Sequence, residues 1–185
     1  MDNSEKSSLR KVLLEKRDNT SDDLMKIVSK QIHRNLKKIS EFRLANNIGM
    51  YYPIGSEVPT QDIMQEAISN GKEILLPKVI GEEIEFRKIK DFGDLEKGDF
   101  DIMEPKDGCL PSEKFDVILV PTVGISRDGY RLGYGYGYYD RFLAKRKVVT
   151  IALTYAKQVV KSVPSSEDDV RINWIVTEDE FFKTS

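Results

Sequence analysis

The segment Arg131-Leu132-Gly133-Tyr134-Gly135-Tyr136-Gly137-Tyr138-Tyr139-Asp140-Arg141 collects the residue types that grip phosphate. Alternating glycines let a backbone come close to a ligand and turn successive N–H groups toward one point. An apolar run at 115–120 and a loop at 121–130 lead into the segment, and a helix over 138–145 is predicted to open at its end. A helix start adds partial positive charge. Arg131 and Arg141 flank the loop, and guanidinium forks match phosphate oxygens, with each charge-assisted contact worth about 1.5–3 kcal/mol. Asp140 sits just inside the helix. It reads either as a complement to the helix dipole or as a magnesium ligand. Mg²⁺ commonly uses one or two carboxylates together with substrate phosphates, so a lone carboxylate beside a phosphate cradle favours the second reading. The tyrosines at 134, 136, 138 and 139 either join the core or flank a planar ligand.

Other glycine-rich signatures fit poorly. A dinucleotide fingerprint needs its third glycine one place later and an acid about 20 residues on, yet no Asp or Glu lies between Asp140 and Glu167. Gly93 and Gly98 have Walker spacing, but Asp99 follows where Lys and Ser/Thr are required. There is no His-Arg-Asp catalytic loop of a protein kinase. The single cysteine, Cys109, rules out an intrachain disulfide and a thiolate-rich zinc site, and the single histidine, His33, leaves little room for histidine-based catalysis. With 29 Lys+Arg against 31 Asp+Glu the net charge is −2, which weighs against a surface built for nucleic acid or an anionic membrane. The polar start of the chain has no signal-peptide h-region, and no stretch nears the roughly 20 apolar residues of a membrane span. A cytoplasmic protein, a single domain over 1–185 and a monomer are the expectations.

The elements that must position the glycine segment follow from periodicity. Residues 4–17 predict a helix with Leu9, Val12 and Leu13 on one face. Thr20 to Asp23 cap a second helix over 21–39, with Leu24, Ile27, Val28, Ile32, Leu36 and Ile39 inward and a basic, solvated face that includes His33. Strands are predicted at 47–52, 73–77, 84–89, 115–120, 148–153 and 174–177. A further helix is predicted at 60–70, a helix or turn at 156–162, and mostly loop at 91–114. Strands alternating with helices predict a three-layer α/β/α sandwich, Rossmann-like, around a mostly parallel sheet. The alternating strand at 84–89 makes that sheet mixed.

In this context the glycine segment resembles the 5-formyltetrahydrofolate cyclo-ligase (methenyltetrahydrofolate synthetase) family, and the likeness runs over nearly the whole chain. It is carried by Lys6-Ser7-Ser8-Leu9-Arg10, by the stretch Tyr52-Pro53-Ile54-Gly55-Ser56-Glu57-Val58-Pro59-Thr60, and by Gly71-Lys72 with Leu76-Pro77. Glu104-Pro105, the run from Asp116 to Pro121, and Asp169-Val170 with Val176-Thr177 continue it in order. The resemblance implies an ATP site made by Lys6, Arg10 and the loop from Arg131 through Leu132, Gly133, Tyr134, Gly135, Tyr136, Gly137 and Tyr138 to Tyr139. It implies that Asp140 holds Mg²⁺, with Asp169 as a second carboxylate. Tyr52 and Glu57 would contact the folate, and Tyr138 would lie near the reacting formyl group. Arg131, Tyr138 and Asp140 are thus the implied catalytic residues. Tyr136 stands where many members have Lys or Gly, so either another cation (Lys78 or Arg141) serves the phosphates or ATP is held more weakly.

The implied reaction is the ATP-dependent closure of 5-formyltetrahydrofolate to 5,10-methenyltetrahydrofolate. Two other classes stand beside it. One is a non-catalytic nucleotide or folate binder of the same fold. The other is a nucleic-acid module using the basic helix and stacking tyrosines.

Overall fold

The computed structural model describes residues 3–98 and 102–184. Helix α1 spans Asn3–Asp18 and α2 spans Asp22–Leu36. Ser21 caps α2 by accepting a hydrogen bond from the Leu24 N–H at 3.4 Å, as the Thr20–Asp23 cluster predicts. The helix stops three residues before the expected 39, and a short helix α3, Ser40–Leu44, follows. Leu24 and Ile27, expected inward, are 50% and 67% exposed, because the stripe that packs on the core runs through Met25, Val28, Ile32 and Leu36 and each of the two lies one position off it. His33, expected on the solvated face, is half-buried, with Nε2 2.7 Å from the Pro59 carbonyl, and burial lowers its pKa.

Strands β1 (Asn47–Gly49), β2 (Glu73–Ile80), β3 (Glu83–Ile89), β6 (Val117–Val120), β9 (Val149–Leu153), β11 (Trp174–Val176) and β12 (Phe181–Lys183) form a seven-stranded sheet in the order β12-β11-β9-β6-β1-β2-β3. The pairs β2–β1, β1–β6, β6–β9 and β9–β11 are parallel, whereas β3 and β12 join the edges antiparallel. Counting only the parallel strands, the order is 2-1-3-4-5, the doubly wound arrangement. The sheet is mixed and mostly parallel, as predicted.

Alternating side chains feed two cores. Ile48, Ile74, Leu76, Val117, Leu119, Ile151 and Leu153 meet α2, α3 and helix α4 (Gln61–Ser69) on one face. Leu75, Ile118, Val120, Ala152 and Ile175 meet helix α5 (Tyr138–Ala144) on the other, where Phe86, Phe115 and Phe142 pack with centroids 4.9–5.8 Å apart.

Several short strands escape a periodicity reading. The segment 91–114 is mostly loop as expected, but holds β4 (Leu95–Lys97) and β5 (Met103–Pro105) as an antiparallel pair. A three-stranded sheet combines β7 (Gly124–Ser126), β8 (Arg131–Leu132) and β10 (Val159–Val160). Arg131 and Leu132, expected in the glycine loop, are therefore strand residues, and 156–162 is a 3-10 turn running into β10.

Candidate active site

In doubly wound sheets, ligands bind beyond the carboxyl ends of the strands where the order reverses. Here that point lies between β1 and β6, whose chains leave toward opposite sides. The β1 exit carries Tyr52 and Glu57; the β6 exit leads through β7 and β8 into the glycine loop. At the opposite, amino-terminal ends of the same two strands, Asp116 ties β6 to β1 by accepting from the backbone N–H groups of Asn46 and Asn47 at 2.8 Å each, and these bonds hold its carboxyl below the ordinary range.

Helix α1 closes the crevice. Leu13 is 4% exposed in a small core with Val123, Leu132 and Val163, and Gly124 lets it come close: a Cβ there would stand 2.3 Å from a Leu13 methyl. Lys6, Arg10 and Arg17 share that helix face at spacings of four and seven, so docking Leu13 aims all three inward. Arg10 Nε donates to the Gly133 carbonyl at 2.7 Å, and Lys6 Nζ donates to Asp169 Oδ2 at 2.7 Å. Burial works against the Asp169 charge, but Lys6 and Ser166 donate to it and leave its carboxyl below the usual range. Arg17, only 2% exposed, donates from Nε to Ser56 Oγ at 2.7 Å and from NH2 to the Tyr134 hydroxyl at 2.8 Å.

The stretch open to a ligand begins at Gly133, since the Leu132 carbonyl takes the Val123 N–H and its side chain is buried. Gly135 and Gly137 adopt φ of +105° and +72°, the left-handed region that glycine tolerates. A Cβ on Gly133 would meet nothing within 4 Å. Helix α5 has seven residues, so the cations around its start supply most of the positive potential. Arg131 NH1 lies 3.0 Å from Asp140 Oδ1 and donates to the Val170 carbonyl at 3.0 Å. The same Oδ1 accepts from the Val170 N–H at 3.1 Å. Asp140 and Asp169 therefore flank a single backbone connection, each beside one cation.

Glu57 is 6% exposed, with Oε2 accepting from the Ile54 N–H at 2.8 Å and Oε1 buried with no partner. Burial pushes its carboxyl up to about 7, against the pull of the Ile54 N–H, Arg17 and Tyr134. Arg17 NH1 and the hydroxyls of Tyr139 and Tyr155 are also buried without partners, and all three groups interact electrostatically with one another or with Glu57. Native interiors rarely leave such atoms unpaired except where a ligand or water completes them. Burial and Glu57 together push the Tyr134 hydroxyl up to about 12.

The remaining predicted residues divide. Tyr52 is half-buried against the larger core. Tyr136, 55% exposed, stacks on Tyr138 at 5.8 Å, and Arg141 lies over the Tyr138 ring at 5.3 Å. Arg141 donates to the Tyr136 and Glu82 carbonyls, so it braces the loop. Lys78 is engaged by Asp107, Glu96 and the Pro105 carbonyl in the β4–β5 region. Neither cation named as a stand-in at Tyr136 is thus uncommitted. No group of three metal-ligating side chains occurs among the described residues. The donor set at Asp140 and Asp169 suits a magnesium ion that takes most of its oxygens from phosphates and water.

Sequence reasoning missed Arg17 and Ser56. The heptad spacing from Arg10 to Arg17 on an amphipathic helix was the available signal.

Residues 2–178 match the 5-formyltetrahydrofolate cyclo-ligase family. The chain belongs to the 5-formyltetrahydrofolate cyclo-ligase family. Among curated members, the 5-formyltetrahydrofolate cyclo-ligase of Mycoplasma pneumoniae is 33% identical over 83% of this chain and 87% of its own. The probable 5-formyltetrahydrofolate cyclo-ligase of Caenorhabditis elegans is 26% identical over 94% of this chain and 96% of its own. The solved 5,10-methenyltetrahydrofolate synthetase of Aquifex aeolicus superposes with a TM-score of 0.86 at 37% identity, covering 96% of this chain and 92% of that one. This cyclo-ligase family is one of enzymes, and the fold derived above is theirs.

Proposed function

We propose that this chain converts 5-formyltetrahydrofolate to 5,10-methenyltetrahydrofolate at the expense of ATP. Its place in the cyclo-ligase family supports this. The observation that carries the proposal is the buried, half-partnered Glu57 carboxylate, whose chain neighbour Ser56 is joined through Arg17 to Tyr134 of the glycine loop. An amide-lined loop with Lys6 and Arg10 above it suits a triphosphate. A buried acceptor suits the amino and ring N–H groups of a pterin.

An N-formyl group is a poor electrophile, and its oxygen is a poor leaving group. Transfer of the γ-phosphoryl to the formyl oxygen forms an O–P bond, breaks the β,γ bridge and releases ADP. The folate N10 lone pair then attacks the formyl carbon, the N10 proton is lost, and the C–O bond breaks to release inorganic phosphate. The protein's work is to align two substrates and neutralise charge, which needs neither thiol nor imidazole. In this reading the 133–137 amides, Lys6 and Arg10 hold phosphate oxygens, and Arg131 fixes Asp140. Asp140, with Asp169 beside it, would hold magnesium, which supplies further neutralisation of phosphate charge. Tyr52 and Glu57 grip the folate, and Tyr138 borders the reacting carbon.

The test is the absorbance of the methenyl product from purified full-length protein, with 5-formyltetrahydrofolate and Mg²⁺, with and without ATP. Product formed only with ATP is the expected result. Binding of both substrates without product would instead assign a non-catalytic binder. No helix among the described residues is long and apolar enough to cross a membrane.

A further inference from the structure

Arg17 is a long cation taken almost wholly out of water, 2% exposed, although it lies on a helix whose neighbouring positions are solvated. Such burial is costly, and an apolar residue would dock the helix as well or better. The guanidinium spends its donors unusually. Nε holds Ser56, the residue before Glu57, and NH2 holds the Tyr134 hydroxyl between Gly133 and Gly135. NH1 is buried with no partner, as is Glu57 Oε1. The planar fork fixes the angle between its donors, so Tyr134 and Ser56 cannot shift independently. Asp18, the next residue, also accepts from Ser56 Oγ. Helix α1 is anchored at this end by Lys157 Nζ on the Lys16 carbonyl at 2.8 Å, and farther up by Arg10 on the Gly133 carbonyl.

We propose that Arg17 is a positioning residue that couples the two substrate subsites, so that a nucleotide seated on the glycine loop tightens the hold on the pterin, and the reverse. The inference rests on the assignment of the glycine loop to ATP and of Glu57 to the folate. A nucleotide that orders 133–137 orders Tyr134, hence the guanidinium plane, hence Ser56 and the backbone carrying Glu57. Coupling of this kind is reciprocal by linkage. Arg17 also favours the Glu57 carboxylate over the acid. The other groups acting on Glu57 are Tyr51 at the β1 exit, Tyr134 in the loop, Tyr139 on α5 and Tyr155 after β9, and none of these supplies positive charge.

The experiment titrates 5-formyltetrahydrofolate into full-length wild type, Arg17→Lys, Arg17→Gln and Tyr134→Phe, with and without Mg²⁺ and an ATP analogue bearing a β,γ-methylene bridge. In wild type the analogue is expected to lower the folate Kd at least about fivefold, the lower end of typical coupling. In Tyr134→Phe, which keeps the whole guanidinium and the packed ring, that ratio is expected to fall to about one. Arg17→Lys keeps the charge but not the fork, and is expected to lose the ratio while keeping the pH midpoint of folate binding. Arg17→Gln, where it folds, is expected to lose the ratio and move that midpoint upward. A purely structural Arg17 would lower the melting temperature and leave both readouts unchanged. A wild-type ratio near one, or an unchanged ratio in Tyr134→Phe, overturns the coupling and leaves the proposed function standing. Wild type that binds neither substrate overturns both.

Discussion

At the scale of single residues, Glu57 sets a conflict between stability and use. Its folded-state carboxyl is raised to about 7, above the ordinary 4.5, so folding favours the protonated form. Its contribution to stability is therefore full below about pH 4.5 and is lost as pH rises through 7. The loss amounts to about 3 kcal/mol by linkage. Glu57→Gln is expected to raise the melting temperature at pH 8 by roughly 6–12 °C and to change it little at pH 5. The same variant should weaken 5-formyltetrahydrofolate binding at pH 8, since an acceptor oxygen becomes a donor nitrogen. Calorimetry at both pH values, paired with folate titration, checks both halves; a variant no more stable at pH 8 contradicts the buried-charge account. Asp140→Asn tests the other end of the site. Turnover should fall by several powers of ten. The Arg131 guanidinium, 5% exposed, also loses its counter-ion, and breaking a buried pair costs about 3–5 kcal/mol, less here because Asp140 is 25% exposed. Denaturant unfolding beside kinetics separates the two losses. Turnover near wild type removes Asp140 from the chemistry.

At the scale of elements, the glycine loop offers an internal control. A Cβ on Gly133 meets nothing, so Gly133→Ala should leave stability within about 0.5 kcal/mol. If the loop cradles phosphate as proposed, the same methyl, standing in open space beside the loop, should still weaken nucleotide binding about tenfold or more, the loss of roughly one charge-assisted contact. Gly135→Val adds strain of about 1–3 kcal/mol at φ +105° and pushes on Arg10, whose NH2 lies 3.3 Å from the new Cβ. Nucleotide titration of both variants decides the matter, and normal ATP binding by Gly135→Val means the loop is no cradle. The sequence made much of this region legible. Glycine spacing, the continuous apolar run that becomes β6 and the capping cluster before α2 are local signals, and local signals survive without tertiary context. Strands β7, β8, β10 and β12 did not show, because two- or three-residue segments carry no period. Leu24 and Ile27 misled for the opposite reason: the helical pattern is real, but Met25, Val28, Ile32 and Leu36 take the inward stripe and leave the two apolar residues beside it in solvent. Arg17 and Ser56 lie 39 positions apart, and their meeting depends on how α1 docks, which periodicity cannot report.

At the scale of the whole molecule, α1 is the element most dependent on the site it covers. Among the described residues its apolar contacts lie in one small core, and its other ties are polar bonds to the glycine loop, the Asp169 turn, the β1 exit and Lys157. A ligand that binds only the closed arrangement stabilises it by mass action. Amide exchange in 5–17 should therefore slow at least about tenfold with saturating ATP and Mg²⁺, while exchange in β6 and β9 changes little. Mass spectrometry of exchange resolves these peptides, and unchanged α1 protection argues against the closing role. The borders of the large sheet carry a separate meaning. Strand β12 has only three residues, and the bond from the Thr184 N–H to the Asn173 carbonyl at 2.9 Å merely continues its ladder with β11. At the opposite border, backbone bonds from Lys88 to Leu110 and from Ser112 to Phe86 lay a proline-containing segment along β3. A partly unfolded neighbour thus finds few bare amides on which to add a strand, and concentrated solutions of the native chain should resist fibre growth even where heating exposes the apolar interior only locally.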